Sequence, residues 1–268
     1  MQEGAARCKR ARQDARGRDK SRPYETHPSR FRGPCPRTSR FGYTEAMTPL
    51  LLRRLAYAFL LAAYITYAVV VAPHSDPPGV SFLSLALGKG PARNPAVWGV
   101  FMLLGVVPLM YWALMVPDGR GQKPGPAWLW VWPFALGMMA LGSFALLPYL
   151  ILRRPYPDPL PGPRPLVVRW FGGRSFAGFV ALALAFLLAY IVGQGNLSDY
   201  IYWFRHSAFV HLMTVDLLML ALLFPALLRD DMARRNVSPD EDTVGRVALA
   251  LPLLGPALYL LWRPEERA

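Results

Sequence analysis

The sequence predicts an all-α polytopic membrane protein with about six transmembrane helices, and its composition and charge placement support that prediction. Hydrophobic residues make up 53% of the 268-residue chain, the mean hydropathy is +0.22, and only 18% of the residues are charged. Soluble domains are about 25% charged. The charges also fall between long charge-free windows, each of the length that a helix needs to cross about 30 Å of hydrocarbon. This pattern excludes a soluble globular enzyme and a nucleic-acid-binding body.

Residues 1–46 form a basic leader, and residues 47–268 form the predicted helical membrane domain. Twelve of the 30 lysines and arginines precede Met47, against five acidic residues. Apolar residues are scattered singly there, so we expect this leader to be disordered. It is an arm that binds anionic lipid or nucleic acid, an organelle transit peptide, or a segment that is not translated because Met47 is the start. Both cysteines, Cys8 and Cys35, fall in the leader, so the body has no thiol chemistry.

Six apolar windows predict the spans in order: residues 55–72, 95–116, 126–152, 175–192, 207–228 and 247–262. The third window begins with a tryptophan cluster typical of the membrane interface. The sixth is short and contains Pro252 and Pro256, so it crosses with tilt or is re-entrant. Residues 80–87 are apolar but too short to cross, and we expect them at the interface. Alternating prolines between residues 155 and 165 favour an extended polyproline II spacer.

The orientation of six spans stays open. Cytoplasmic loops carry an excess of lysine and arginine. Among the body's loops, those on the side opposite the leader carry more of these residues, which favours that side as cytoplasmic. Adding the leader's twelve basic residues reverses the balance. The predicted orientation therefore depends on whether Met1 or Met47 is the true start.

Polar chemistry enters the fifth span at Asp216, His211 and Thr214. Asp216 lies near the middle, where a charged carboxylate costs roughly 2.5–3.5 kcal/mol on insertion scales. A functional interpretation makes it a proton or cation site, with His211 as a relay, a cofactor ligand or a hydrogen-bonding partner. A structural interpretation has Asp216 protonated, or bound to a Trp, Tyr or Arg of a neighbouring helix. Five residues apart, Asp216 and His211 differ by about 140° around a helix, which argues against a direct pair.

No cofactor and no metal site are predicted. Apart from His206 and His211, the histidines are His27 and His74, so two helices cannot supply a bis-histidine haem site within one chain. The sequence contains no HExxH motif and no cysteine in the body to bind zinc. Phosphate-binding loops and the GxSxG nucleophile motif are also missing from the sequence. These gaps favour a protein that is not an enzyme.

The fourth span is predicted to pack through small residues, because Ala177, Ala181, Ala185 and Ala189 recur every four residues. Small side chains at this spacing allow close approach of helices in lipid. An intramolecular contact is favoured over a homodimer seam. After the fifth span, the charged stretch at residues 229–235 is interpreted as the end of a helix that emerges into water, and a docking site is the alternative.

Two stretches carry a resemblance. One comprises Pro117-Asp-Gly-Arg120, Trp132-Pro-Phe and Leu141-Gly-Ser-Phe-Ala-Leu-Leu-Pro-Tyr149. The other comprises Ser207-Ala-Phe-Val-His211, Asp216 and Phe224-Pro-Ala-Leu-Leu-Arg-Asp-Asp-Met-Ala-Arg-Arg235. Residues 117–235 resemble uncharacterised multi-span membrane proteins of cyanobacteria and plastids. The resemblance implies a bacterial inner membrane, or a thylakoid or plastid membrane, and it implies no reaction.

The predicted function is that of a non-enzymatic structural or accessory component of a membrane complex. Its expected partners are the lipid bilayer and other subunits of that complex, with no nucleic acid. The alternative is a small proton- or ion-coupled transporter that uses the Asp216 and His211 site. A membrane-embedded enzyme, or a protein that binds a pigment or haem, is the third and least favoured interpretation.

Overall fold

The computed structural model describes residues 42–89, 94–119, 130–154, 166–235, 237–238 and 243–264, and for residues 42–49 it describes the backbone alone. Two compact units divide the chain, Met1–Leu50 and Leu51–Ala268. The described part of the first unit is the beginning of helix α1. The leader prediction falls mostly on residues 1–41, which lie outside the described residues, as does the polyproline segment at residues 155–165.

The described residues form helices and no strand, in agreement with the predicted all-α class. In chain order the helices are α1 (Gly42–Val70), α2 (Phe82–Ala86), α3 (Pro95–Asp118), α4 (Trp132–Leu141), α5 (Ser143–Leu152), α6 (Leu166–Phe171), α7 (Arg174–Gln194), α8 (Leu197–His206), α9 (Ala208–Arg234), α10 (Thr243–Ala250) and α11 (Leu254–Trp262).

Four of the described helices are long and apolar enough to cross a membrane. They are Leu50–Val70 within α1, then α3, α7 and α9. Windows one, two, four and five of the sequence prediction correspond to these helices. Windows three and six do not form single long helices, because each is broken into two short ones. The predicted count of about six spans is therefore not confirmed.

Helix α3 is the central helix of the bundle. From Met110 to Asp118 it is almost completely buried on every side, except at Trp112. Its longest packing surface is against α7, where Gly99 allows a close approach, since a Cβ at that position would overlap the side chain of Ile191. A second long surface is against α9. A helix that is apolar all round is expected at such a buried position.

The predicted alanine stripe only partly lies in the contact between α7 and α3. Ala177 is buried and Ala181 is half-buried, but Ala185 and Ala189 are exposed. Their spacing of four residues exceeds the 3.6 residues of a helical turn, so the stripe rotates by about 40° at each step and leaves the contact. The face of α7 that packs inward carries larger residues instead: Phe176, Val180, Leu184 and Leu187.

The third predicted span is a helical hairpin made of α4 and α5. Phe134 and Trp130, at the start of the hairpin, each lie 5.7 Å from the ring of Tyr149, near its end. Closer to the turn, Gly137 lies against Ala145. Two antiparallel arms of ten residues are each about 15 Å long, which is half the hydrocarbon thickness. The expectation of one crossing helix here is corrected, since the chain turns back at Gly142.

The sixth predicted window is a second hairpin, made of α10 and α11. Its turn includes Leu253, the one described non-glycine residue with positive φ, at 65°. The amide of Leu254 donates to the carbonyl of Pro252, which closes a tight and strained three-residue turn. Gly255 then packs directly on the backbone of α10, at Val247 and Ala248. Of the two predicted alternatives, tilted or re-entrant, the broken helix favours the second.

The helix bundle has two ends, which we call the arginine-rich end and the opposite end. At the arginine-rich end, α3, α5, α9 and α11 all finish, and the side chains of Asp118, Arg153, Arg234 and Arg263 meet there. At the opposite end, α1 and α7 finish while α3 and α9 begin. Asn94 there donates to the carbonyl of Asn196, and Asp76 accepts hydrogen bonds from Ser207 and the amide of Phe209.

Candidate functional site

The turn of the first hairpin lies against Asp216 of α9. The amide and the hydroxyl of Ser143 both donate to Oδ1 of Asp216, at 2.8 and 2.5 Å, and the hydroxyl of Tyr64 donates from 3.5 Å. Ser143 is the first residue of α5, and the first amides of any helix have no acceptor within that helix. Asp216 therefore caps the hairpin helix from a neighbouring helix.

The geometry of Gly142 makes this cap possible. Its φ of 52° and ψ of −125° lie in a region that residues with a side chain rarely adopt. A Cβ at this position would also overlap the carboxylate of Asp216. Two independent constraints therefore require glycine at the turn.

Asp216 lies deep in the bundle. If the apolar part of α9 begins at Ala208, about 20 residues carry it across the hydrocarbon, and Asp216 then lies roughly 3 Å from the midplane. Only 8% of its surface is exposed. Inside hydrocarbon an unsatisfied amide costs several kcal/mol, so the cap and the carboxylate stabilise each other.

The two oxygens of the Asp216 carboxylate have different surroundings. All three described hydrogen bonds of Asp216 go to Oδ1. Oδ2 adjoins the bare Cα of Gly142, and Asp216 forms part of the wall of a cavity of about 440 Å³. Asp216 thus has one oxygen fixed by three donors and one that accepts none of its described hydrogen bonds, and the residue belongs to the cavity wall.

The rest of the cavity wall is apolar and aromatic. Four phenylalanines line it, one each from α2, α3, α5 and α9: Phe82, Phe101, Phe144 and Phe209. Phe101 lies 5.4 Å from Phe82 and 6.1 Å from Phe209, measured between ring centroids. Phe144 stacks on Tyr64 at 4.2 Å. Since α2 lies at the opposite end, the cavity extends from Asp216 towards that end.

His211 has two partners of its own. Its Nδ1 lies 2.9 Å from the carbonyl of Phe204, which can only accept, so Nδ1 carries a proton. Its Nε2 lies 2.5 Å from the hydroxyl of Tyr67. Tyr67 and Tyr64 stand one turn apart on α1, so His211 and Asp216 contact the same helix through two neighbouring tyrosines.

Thr214, the third predicted polar residue, points elsewhere. The hydroxyl of Thr214 donates to the carbonyl of Val210 at 2.6 Å. The hydroxyl of Tyr200 lies 2.6 Å from the hydroxyl oxygen of Thr214. Because the threonine proton is already used, Tyr200 is the donor. Thr214 therefore joins α9 to α8, and it is not among the residues of the cavity wall.

A second polar cluster, at the arginine-rich end, was not predicted. Asp118, completely buried, accepts hydrogen bonds from Tyr149 at 2.6 Å, Arg153 at 3.1 Å and Arg234 at 3.0 Å. Arg153 also pairs with Asp230 at 2.6 Å. Burial lowers the pKa of Arg153, but the charges of Asp118 and Asp230 outweigh that effect, so its pKa is raised above the ordinary value and the side chain stays charged.

The same cluster continues to the second hairpin. Asp231 contacts Arg234 at 3.3 Å, Arg235 at 2.9 Å and Arg263 at 3.6 Å, and accepts a hydrogen bond from Tyr259. Acidic and basic side chains thus alternate from α5 through α3 and α9 to α11. The stretch at residues 229–235 does not simply emerge into water, because Asp231 and Arg234 are only 1% and 2% exposed. The alternation of signs within that stretch was the available signal, but the partners on other helices could not be read from it.

The described residues contain no group of three or more His, Cys, Asp or Glu side chains that could hold a metal ion. The expectation of no cofactor remains a prediction.

No protein-family model matches the chain, and neither a curated protein nor a solved structure matches it. Its function is therefore argued from the geometry of the two clusters.

Proposed function

We propose that the protein is a small membrane carrier for an organic cation, coupled to protons, with Asp216 as the shared site for cation and proton. The observation that supports this proposal is that the two oxygens of the Asp216 carboxylate have different surroundings. Oδ1 is held by the hairpin helix, while Oδ2 accepts no described hydrogen bond, and Asp216 lies in the wall of an apolar cavity lined by four phenylalanines.

The cavity wall supports an organic cation as cargo. Phenylalanine faces attract cations, most strongly where water is excluded, and quaternary ammonium groups are the familiar example. A single carboxylate at one end supplies the counter-charge. An anionic cargo is disfavoured, because it would lie next to the negative charge of Asp216. The described residues of the wall include no cationic side chain that could offset this repulsion.

Proton coupling follows from the position of Asp216. A carboxylate near the bilayer midplane is costly while empty, and either a bound cation or a proton on Oδ2 removes that cost. The two therefore compete for one oxygen. Broken helices that bring a polar terminus to the midplane are also a recurring feature of secondary transporters.

The test uses Asp216→Asn in proteoliposomes. Asparagine keeps an oxygen that can accept from Ser143 and is a good helix cap, so the variant preserves the fold but removes the charge. Benzyltrimethylammonium serves as the probe because it has no proton to lose. With an acidic interior, we expect external probe to make the wild-type lumen more alkaline, as reported by a trapped pH-sensitive dye, and we expect no such change with Asp216→Asn. Equal rates for both proteins, or no response with wild type across a panel of quaternary cations, would reject the carrier proposal.

A second candidate is the accessory component predicted from the sequence, and the capping role of Asp216 favours it. If Asp216 only holds the hairpin, Asp216→Asn keeps every property of the wild type, while Asp216→Ala lowers stability and weakens association with partner subunits. Pull-down from native membranes with the three proteins measures that association. The non-enzymatic nature of the protein and its membrane, bacterial inner or thylakoid and plastid, remain predictions.

We also propose that the arginine-rich end faces the cytoplasm, or the stroma in a plastid. With both hairpins returning to that end, the described basic residues at the opposite end are Lys89 and Arg205. The remaining described ones belong to the arginine-rich end: Arg53, Arg54, Arg153, Arg154, Arg169, Arg174, Arg229, Arg234, Arg235, Arg246 and Arg263. This imbalance favours one orientation whether or not the leader is counted.

Labelling of single cysteines tests this orientation. In a background with Cys8→Ser and Cys35→Ser, the exposed positions Ser175 and Ser198 mark the arginine-rich and the opposite end. We expect an impermeant maleimide added to intact spheroplasts to label Ser198→Cys and not Ser175→Cys. The reverse pattern would invert the proposed orientation.

A further inference from the structure

A second cavity, at the arginine-rich end, is lined by four arginines. Its volume is about 260 Å³, and its wall includes Arg169, Arg174, Arg235 and Arg263. No acidic side chain is among the described residues of that wall. We propose that this cavity binds the phosphate of an anionic phospholipid headgroup.

Two of the four arginines are anchored. Arg263 donates to the carbonyls of Ala113 and Gly172, at 3.2 and 3.0 Å, and it is almost completely buried. Arg235 donates to Asp231 and to the carbonyl of Pro264. Asp231 contacts both guanidinium groups, at 2.9 Å from Arg235 and 3.6 Å from Arg263. The base of the cavity therefore carries two arginines that are held in place.

The other two arginines stand at its rim. Arg169 and Arg174 are exposed, and neither makes a described salt bridge. Gly172 and Gly173, between them, also line the cavity and leave its wall free of bulky side chains. Guanidinium groups bind phosphate oxygens in a bidentate manner, so two exposed arginines beside two anchored ones suit a phosphate with several oxygens.

The surroundings favour a lipid over a free phosphate. Leu166 and Trp170, next to the rim on α6, are 79% and 61% exposed. Phe179 and Leu182, further along α7, are 63% and 74% exposed and would run beside the acyl chains. An exposed tryptophan beside arginines is typical of headgroup depth. Basic pockets of this kind on the cytoplasmic side of helical bundles suit anionic headgroups.

The test compares two charge-matched variants of the full chain. Arg169→Gln/Arg174→Gln removes the rim, and Lys89→Gln/Arg205→Gln removes the same charge from exposed positions at the opposite end. Each protein is taken from nanodiscs of mixed phosphatidylglycerol and phosphatidylcholine. Native mass spectrometry counts the retained phosphatidylglycerol, and thermal shift in detergent is followed against phosphatidylglycerol, phosphatidylcholine and inorganic phosphate.

We expect the wild type and the opposite-end variant to retain phosphatidylglycerol selectively, and the rim variant to bind it about tenfold or more weakly, since each arginine contributes roughly 1 kcal/mol at such a surface. Equal retention by both variants would overturn the proposal. If inorganic phosphate stabilises the protein as much as the lipid does at the same concentration, the ligand of this cavity is a free anion and not a lipid headgroup. Benzyltrimethylammonium transport is measured in parallel, and its outcome does not bear on this site.

Discussion

Replacing Gly142 with alanine tests the hairpin turn at its most constrained point. The backbone would have to hold an alanine at φ 52° and ψ −125°, which costs about 1–3 kcal/mol. The new methyl group would also displace the carboxylate of Asp216 and leave the amide of Ser143 without an acceptor, which costs about another 1–3 kcal/mol. We therefore expect the free energy of unfolding to fall by about 2–6 kcal/mol.

For a chain of this size, 1 kcal/mol corresponds to roughly 2–4 °C in Tm, so the fall should lie between about 4 and 24 °C. Thermal unfolding in detergent, followed by circular dichroism, measures it. Gly178→Ala is the matched control, because a Cβ there meets open space on a regular helix. We expect that variant to melt at the wild-type temperature or slightly above.

A double variant separates the two costs. Asp216→Ala removes the overlap but not the backbone cost, so Gly142→Ala/Asp216→Ala should be less destabilised than the sum of the single variants by about 1–3 kcal/mol. If Gly142→Ala has the same Tm as Gly178→Ala, the turn does not have the geometry described. If the single effects simply add, Asp216 is not in contact with the turn.

Three further predictions concern other contacts. Asp118→Asn should lower the free energy of unfolding by about 1.5–3 kcal/mol, because Arg153 and Arg234 each lose a buried charged hydrogen bond while keeping Asp230 and Asp231; chemical denaturation measures it, and a loss below about 1 kcal/mol would contradict the buried cluster. Tyr67→Phe should cost about 0.5–1.5 kcal/mol and shift the His211 ring resonances in NMR spectra recorded at one pH, whereas unchanged resonances would exclude the contact. Ala177→Leu should cost about 1–3 kcal/mol by overpacking, while the exposed Ala185→Leu should stay within about 0.5 kcal/mol; equal Tm values for the two would refute the described face of α7.

The sequence predicts the four long helices well, because each is a continuous apolar window of sufficient length. It does not predict the hairpins, because hydropathy measures how apolar a segment is and carries no information on its direction. Residues 126–152 are apolar enough for one crossing, and only the positive φ of Gly142 and the acceptor on Asp216 reveal that the chain turns back. A glycine within an apolar window was visible, but glycine is frequent in membrane helices.

The candidate site was predicted in part. Asp216 and His211 stood out because an ionisable group in a span is costly and therefore informative. The partners of these residues could not be found, because Tyr64, Tyr67 and Ser143 are ordinary residues, and each is at least 73 positions along the chain from the side chain that it contacts. The same limit applies to Asp118 and Arg153, whose burial depends on three-dimensional pairing.

The shared end of the two hairpins has a consequence for how the chain is inserted during synthesis. In the proposed orientation, the connections of the described chain that must be carried across the bilayer are the one that joins α1 to α3 and the one that joins α7 to α9, and their described parts carry few positive charges. The two hairpins then need not cross, so each can enter after the long helices have assembled, from the side on which it was made. Until the first hairpin arrives, Asp216 would then have Tyr64 of α1 as a donor but lack both donors of Ser143, so the late arrival of α5 completes the fold at its least favourable residue.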